Sequence, residues 1–432
     1  MRIKFNSSSK LLLTAAASLL AAFAISACSQ FTQTLTVDFV YVLSSKAAGA
    51  NQYGEIDVFE INSESGRMRQ IPTSPFPSAG RNPVAEAVSA DNANLFVVNQ
   101  DDNTLVQFVI GTDGKVYPFN TVNTPGIYPM AVAVTQSNVF VVDTYQPLPL
   151  CSSADPCSGS IGVYPLTSGG SSSSAPCVAT VCLGAPLVNA AVNGSYWPLT
   201  LSGASANDVV VPTAVNVLAS GGYIYVTAYD SSVSPPVGYV FGFSVASGGA
   251  LTALPGSPFA AGVQPSAIAS DPTSTYVYAT DSVSGSVLGY QVCPGGVLYA
   301  PSAGCGASAT TAYDTFPAGG KPSAIVVDPS YPFAYVANSG DATIEAYSIS
   351  SGNLTDIGTY TTGLDPIAIG IDPSTNHFLY SVNFLGNTVS GFELSISAGT
   401  LLDSQFSPYT TAAQPVAAAA VPHNGTGAGI QK

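Results

Sequence analysis

"PSAIVVDPSYPFAYVANSGDATIEAYSIS", residues 322–350, decides the fold, because it is one copy of a unit that recurs. An apolar run opened by Pro322 leads to Asp328-Pro329, then to Tyr335-Val336-Ala337-Asn338, then to an alternating stretch. Opening runs of this kind stand at 83–88 ("PVAEAV"), 129–134, 212–217, 265–270, 322–327, 366–371 and 415–420 ("PVAAAA"). Second runs stand at 39–44 ("FVYVLS"), 95–100, 139–144, 223–228, 276–281, 333–338 and 378–383, often ending in Asn or Asp. A third, alternating run follows, as at 54–61, 103–110 and 342–349, and a weak fourth, as at 249–259.

Four short strands repeated about every 45 residues predict an all-β, seven-bladed β-propeller. The copies are offset. The first second-strand (39–44) has no opening run before it, and the last opening run (415–420) has nothing after it. The C-terminal strand is therefore expected to complete the N-terminal blade, closing the ring and leaving no open sheet edge. One ring over 37–422 accounts for a chain of 432 residues, with 28–36 a tether and 423–432 a polar tail.

Composition agrees. Charged residues are only 8%, and Gly (41), Pro (32) and Tyr (22) are abundant, which favours short strands and turns over solvated helices. The N-terminus reads as a targeting segment: Arg2, Lys4 and Lys10, an apolar stretch over 11–24, then Ile25-Ser26-Ala27-Cys28. Small residues before a cysteine resemble the lipobox of bacterial lipoproteins, which implies cleavage after residue 27 and lipidation of Cys28. Ser29 in place of an aspartate points toward the outer membrane. An ordinary secretory signal is the alternative. Losing the three cations of residues 1–27 takes the net charge from −15 to −18. Seven Lys or Arg then remain, which argues against nucleic acid and against strongly anionic substrates.

The six other cysteines form close pairs, Cys151/Cys157, Cys177/Cys182 and Cys293/Cys305, and export makes local disulfides the expected reading, with zinc as the rival. Only His377 and His423 are available as histidines, and neither stands in a nucleophile-elbow context. No Ser/His/Asp triad is expected.

The blade consensus, P-x-A-I-x-x-D-P, then Y-V-Y-V-x-N, then T-V-x-x-Y-x-I, resembles the lactonase-type seven-bladed propellers. These include 6-phosphogluconolactonase, carboxymuconate cyclase and the YVTN surface-layer repeats. The resemblance spans about residues 37–422 and implies lactone hydrolysis, with Arg, His and Glu at the channel mouth. No His stands on that face here.

In a propeller, the loops leading into the first strand and joining the second to the third share one face, where sites gather. Arg81 ("GRNP") and Lys321 ("GKP") fall there. Glu86 fills a first-strand slot that is Val132, Val215, Ile268, Ile325, Ile369 or Ala418 in the other copies. A carboxyl there is a candidate acid or base, with Arg81 as its expected partner and Lys321 as a further catalytic candidate. A structural ion pair is the plain alternative. Asn99, Asp143, Asp281, Asn338 and Asn383, with Asp101 and Asp102, could ring a Ca²⁺ ion, although capping of turns is the commoner role. No bound cofactor is expected otherwise.

Residues 145–211 interrupt the pattern in the third blade and read as a disulfide-stapled insertion. Tyr145, Tyr196 and Trp197, with Tyr128, are candidate ligand-binding aromatics there. Two functions follow. One is a lipid-anchored, monomeric cell-envelope scaffold that binds a carbohydrate, a lactone or an envelope protein. The other is a hydrolase of an unphosphorylated lactone, with Glu86 as acid or base.

Overall fold

The computed structural model describes residues 37–45, 53–62, 65–147, 157–170, 177–201, 208–306, 311–372 and 378–422. These form seven antiparallel sheets and contain no helix. The strand order in each sheet follows the chain outward from the channel, except in blade 1. There the innermost strand is Pro415–Val421, paired with Val37–Ser44, so the C-terminus closes the ring as the offset requires.

The inner strands carry a proline at or near their start, as at Pro83–Val88 and Pro322–Val327. Proline donates no hydrogen bond, so it suits the edge strand that faces the channel. A register shift follows it in each case, as between Pro83 and Ala85 and between Pro322 and Ala324. Glu86 opposes Val97, and Val132, Val215, Ile268, Ile325, Ile369 and Ala418 hold the same rung in their own blades.

The second strands are the centre of each blade, and their aromatics join one blade to the next. The hydroxyls of Tyr41, Tyr225, Tyr278 and Tyr335 each donate to a glycine carbonyl more than sixty residues on: Gly114 (3.0 Å), Gly296 (2.7 Å), Gly352 (3.1 Å) and Gly399 (3.1 Å). These glycines have positive φ and lie against a second aromatic, Phe39, Tyr223, Tyr276 or Phe333. The spacing Y/F-x-Y is thus an inter-blade staple. Tyr380 holds the same position, yet among the described residues its buried hydroxyl has no partner. Tyr335→Phe should therefore cost about 1 kcal/mol, and Tyr380→Phe should be neutral or stabilising. Equal losses in urea unfolding of the two variants would refute the staple.

Blade 3 departs from the expected insertion. Ser160–Gly170 and Cys177–Leu183 are its third and fourth strands, paired with each other, and the former also pairs with Asn138–Tyr145. Only part of 145–211 is therefore additional to the blade. In blades 1, 4, 5 and 7 the outer strand breaks into two short pieces, and in blade 3 Trp197–Pro198 adds a second piece beside Cys177–Leu183. In blades 1, 4 and 7 a serine at the break (Ser74, Ser257, Ser407) accepts a third-strand amide at 2.8–3.0 Å, which restores the lost ladder bond.

Candidate functional site

The mouth is built on a repeated, strained position. The residue immediately before the first-strand proline has positive φ in five blades: Asn82 (50°), Tyr128 (57°), Lys321 (53°), Asp365 (57°) and Gln414 (58°). Glycine would hold that conformation without strain, yet none of the five is glycine. Their side chains differ in every blade, while their backbone setting does not. This is a fixed frame carrying variable chemistry around one rim. The signal was present in the sequence as a non-repeating residue before a repeating proline.

Lys321 is exposed at this slot, and among the described residues no carboxylate lies within ion-pairing distance of it. Its structural counterpart in blade 2 is Asn82 rather than Arg81. Arg81 does not pair with Glu86, contrary to expectation. Its Nε and one terminal nitrogen both reach Asp102 Oδ1 at 2.6 Å, and its backbone amide donates to Asp102 Oδ2 at 2.8 Å. Both partners are partly exposed, so the pair fixes the loop more than it stabilises the fold.

Glu86 lies elsewhere. Both carboxyl oxygens are sealed from solvent, and among the described residues neither makes a well-formed hydrogen bond, the Ala419 backbone acting on them only weakly. They point into the seam between blades 1 and 2, whose apolar cluster contains Tyr41, Leu43, Val97, Val106, Ala417 and Ala419. Burial pushes the Glu86 pKa well above the ordinary carboxylate range, against a weaker opposing pull from the Ala419 backbone. A carboxyl sealed in an apolar seam is out of direct reach of a substrate at the mouth in this arrangement.

The contacts that the Asn/Asp ring makes are structural, although among the described residues Asn99 Oδ1, Asp143 Oδ1 and Asn338 Oδ1 are buried with no hydrogen-bond partner. Asn99, Asn338 and Asn383 each donate to a threonine five residues on (Thr104, Thr343, Thr388). Each also packs against a glycine three residues before the proline that opens its own blade (Gly80, Gly319, Gly363), where a Cβ would come within 2.3–2.6 Å of the amide. Asp281 and Asp143 instead accept loop amides, from Val263 and Gln264 and from Gly126. Burial raises the Asp143 pKa to about 7, opposed by the Gly126 amide and Thr124. Among the described residues no cluster of three His, Cys, Asp or Glu could hold a metal. Gly319→Ala should therefore destabilise the ring by about 2 kcal/mol through overpacking, while Ca²⁺ and EDTA leave the melting temperature unchanged. A Ca²⁺-dependent rise would restore the ring as a metal site.

The aromatic candidates separate. Trp197 is 7% exposed in the seam between blades 3 and 4, and its Nε1 donates to Leu251 O at 2.9 Å. It is core, and it is not available to stack on a ligand. Tyr128 and Tyr145 meet edge to face at 5.9 Å on the mouth face. Tyr196 lines a cleft in the additional segment of blade 3. Cys293 and Cys305 are disulfide-bonded, and Cys157 and Cys182 are each in a disulfide. Cys151, Cys28, His377 and His423 lie outside the described residues, as does the side chain of Cys177.

Comparison with known proteins agrees with this architecture. Residues 239–418 match the family model described as lactonase, 7-bladed beta-propeller. A candidate 6-phosphogluconolactonase from Bacteroides fragilis superposes with a TM-score of 0.66 at 19% identity, covering 90% of this chain and 99% of that one. A periplasmic gluconolactonase from Pseudomonas aeruginosa gives 0.65 at 17% identity, covering 89% and 99%. No curated protein matches the chain in sequence. In fold the chain is a seven-bladed β-propeller, and over residues 239–418 its sequence is similar to the lactonase family of such propellers.

Proposed function

We propose that this chain is an exported, lipid-tethered propeller that uses its mouth to bind a small ligand or an envelope protein. The observation that carries this reading is the rim slot. Five non-glycine residues are held at positive φ there, each with a different side chain. Strain kept at one position around a mouth is better explained by what those side chains touch than by the fold. Exposed apolar tips on the same face, Tyr53, Val283, Leu364 and Leu385, support a contact surface. Export is supported by the signal-like N-terminus and by the disulfides. The lipid anchor at Cys28 and placement in the outer membrane rest on the lipobox alone.

Binding is favoured over turnover because four of the carboxyls singled out near the mouth are enclosed or already hydrogen-bonded. Glu86 is sealed, Asp102 is held by Arg81, and Asp143 and Asp281 accept loop amides. Lactone hydrolysis is the second reading, favoured by the family match and by the lactonase descriptions of the structural neighbours. One experiment separates the two: titrating the purified chain with sugar and aliphatic lactones while following both heat and ring opening. Binding without hydrolysis, weakened by Lys321→Gly while the melting temperature rises, is the expected result. Hydrolysis that disappears in Glu86→Gln would establish the hydrolase instead.

A further inference from the structure

A cleft of ≈ 750 Å³ opens where blade 2 hands the chain to blade 3. Its size is that of a small-molecule site. In a chain of net charge −15, none of the residues lining it is charged. Asn123, Asn193 and Ser195 offer side-chain amides and a hydroxyl that make no hydrogen bond to other described residues, while Pro125 and Tyr196 supply apolar contact.

The wall is built to hold its shape. Asn193 has φ 50° at the tip of a turn closed by Asn189 N donating to Gly194 O at 2.7 Å. The Asn189 side chain donates to Tyr196 O at 3.1 Å. A Cβ on Gly194 would come within 2.7 Å of the Tyr196 ring, so only glycine allows the ring to lie against this turn. Tyr196 is 9% exposed and forms a floor rather than a stacking platform.

We infer that this cleft binds a neutral oligosaccharide. Amides and hydroxyls each offer donors and acceptors together, which suits neighbouring sugar hydroxyls. The proline rings of the wall, with Tyr196 closing the floor, suit the apolar C–H side of a sugar. Among the described lining residues there is no cation to recognise a phosphate or uronate and no carboxylate to recognise an amine. Because the cleft is open and lacks a stacking face, binding is weak, with dissociation constants of about 1 mM.

The test is calorimetric titration of the purified full chain with cellotetraose, maltotetraose and chitotetraose. Tetragalacturonate serves as the charged counterpart, and a decaproline peptide as the other occupant the shape admits. At least one neutral tetrasaccharide should saturate the protein. Asn193→Gly should weaken it about tenfold while keeping or raising the melting temperature, because glycine relieves the positive φ. Asn123→Ala should weaken it as well, whereas Lys321→Gly at the mouth should not. The inference is overturned by no saturable binding of any neutral tetrasaccharide. It is equally overturned by tighter binding of tetragalacturonate or decaproline, or by an affinity indifferent to Asn193→Gly.

Discussion

Glu86→Val will stabilise the ring at neutral pH by about 2 kcal/mol or more, the order of the cost of burying an unpartnered carboxyl. Valine is the residue that occupies this rung in blades 3 and 4, as Val132 and Val215, so the change restores the pattern of the fold. The gain depends on pH in a defined direction. The folded-state pKa of Glu86 lies well above its ordinary value of 4.5. Below that value the carboxyl is neutral in both states. As the pH rises past it, the unfolded chain loses the proton and the folded chain keeps it, so stability falls until the folded pKa is reached. Burial raises Asp57 to about 6 and Asp143 to about 7, and both act in the same direction over a narrower window. The wild-type chain should therefore be more stable in mild acid than at neutral pH. Glu86→Val should retain only the part of that fall that ends by about pH 7. Urea unfolding of both proteins across this range measures it. A variant less stable than wild type at neutral pH would mean that the carboxylate has a partner holding it in place, and would return Glu86 to the functional candidates.

The ring was legible in the sequence because its evidence is repeated. Seven copies of a proline-led inner strand and a Y/F-x-Y central strand each report the same packing, and the offset between first and last copies gives the closure. The site was less legible because its contacts cross between strands and blades. Arg81 and Glu86 are five residues apart, but the register shift after Pro83 and the turn of the strand into the seam separate them. The true partner of Arg81, Asp102, lies twenty-one residues on, in the facing loop. Trp197 looked like a loop aromatic because glycines and serines surround it in sequence, and only the packing of blade 4 against blade 3 buries it. The third strand of blade 3 was hidden for the same reason: Ser160–Gly170 lies between cysteine pairs and a Ser/Gly run that mask its alternation.

Ending the chain after Thr411 should abolish cooperative folding, whereas ending it after Pro422 should leave the melting temperature unchanged. The longer truncation removes the innermost strand of blade 1 and with it the pairings from Phe39↔Val421 to Ser44↔Pro415. That strand also packs in two directions. Val416, Ala417, Ala419 and Val421 join the seam with blade 2, while Ala418 and Ala420 join the seam with blade 7, against Tyr380 and Val382. The incoming loop is lost as well, including Ala412 N donating to Asp57 Oδ2 at 2.7 Å and Ser45 N donating to Gln414 O at 2.9 Å. An open ring exposes two blade faces and an unpaired edge at once, a loss of more than about 5 kcal/mol against a typical total of about 5–15 kcal/mol. Thermal unfolding of the two truncations checks this, and a melt for the longer truncation within a few degrees of wild type would show that closure does not hold the ring. The same experiment bears on Glu86. The closing strand is one wall of its seam, so in a ring opened there water reaches the carboxyl and its pKa returns toward 4.5. Any residual structure in the shorter chain should therefore gain nothing from Glu86→Val. A gain that persisted without the closing strand would mean that the buried carboxyl is penalised by its own blade rather than by the seam.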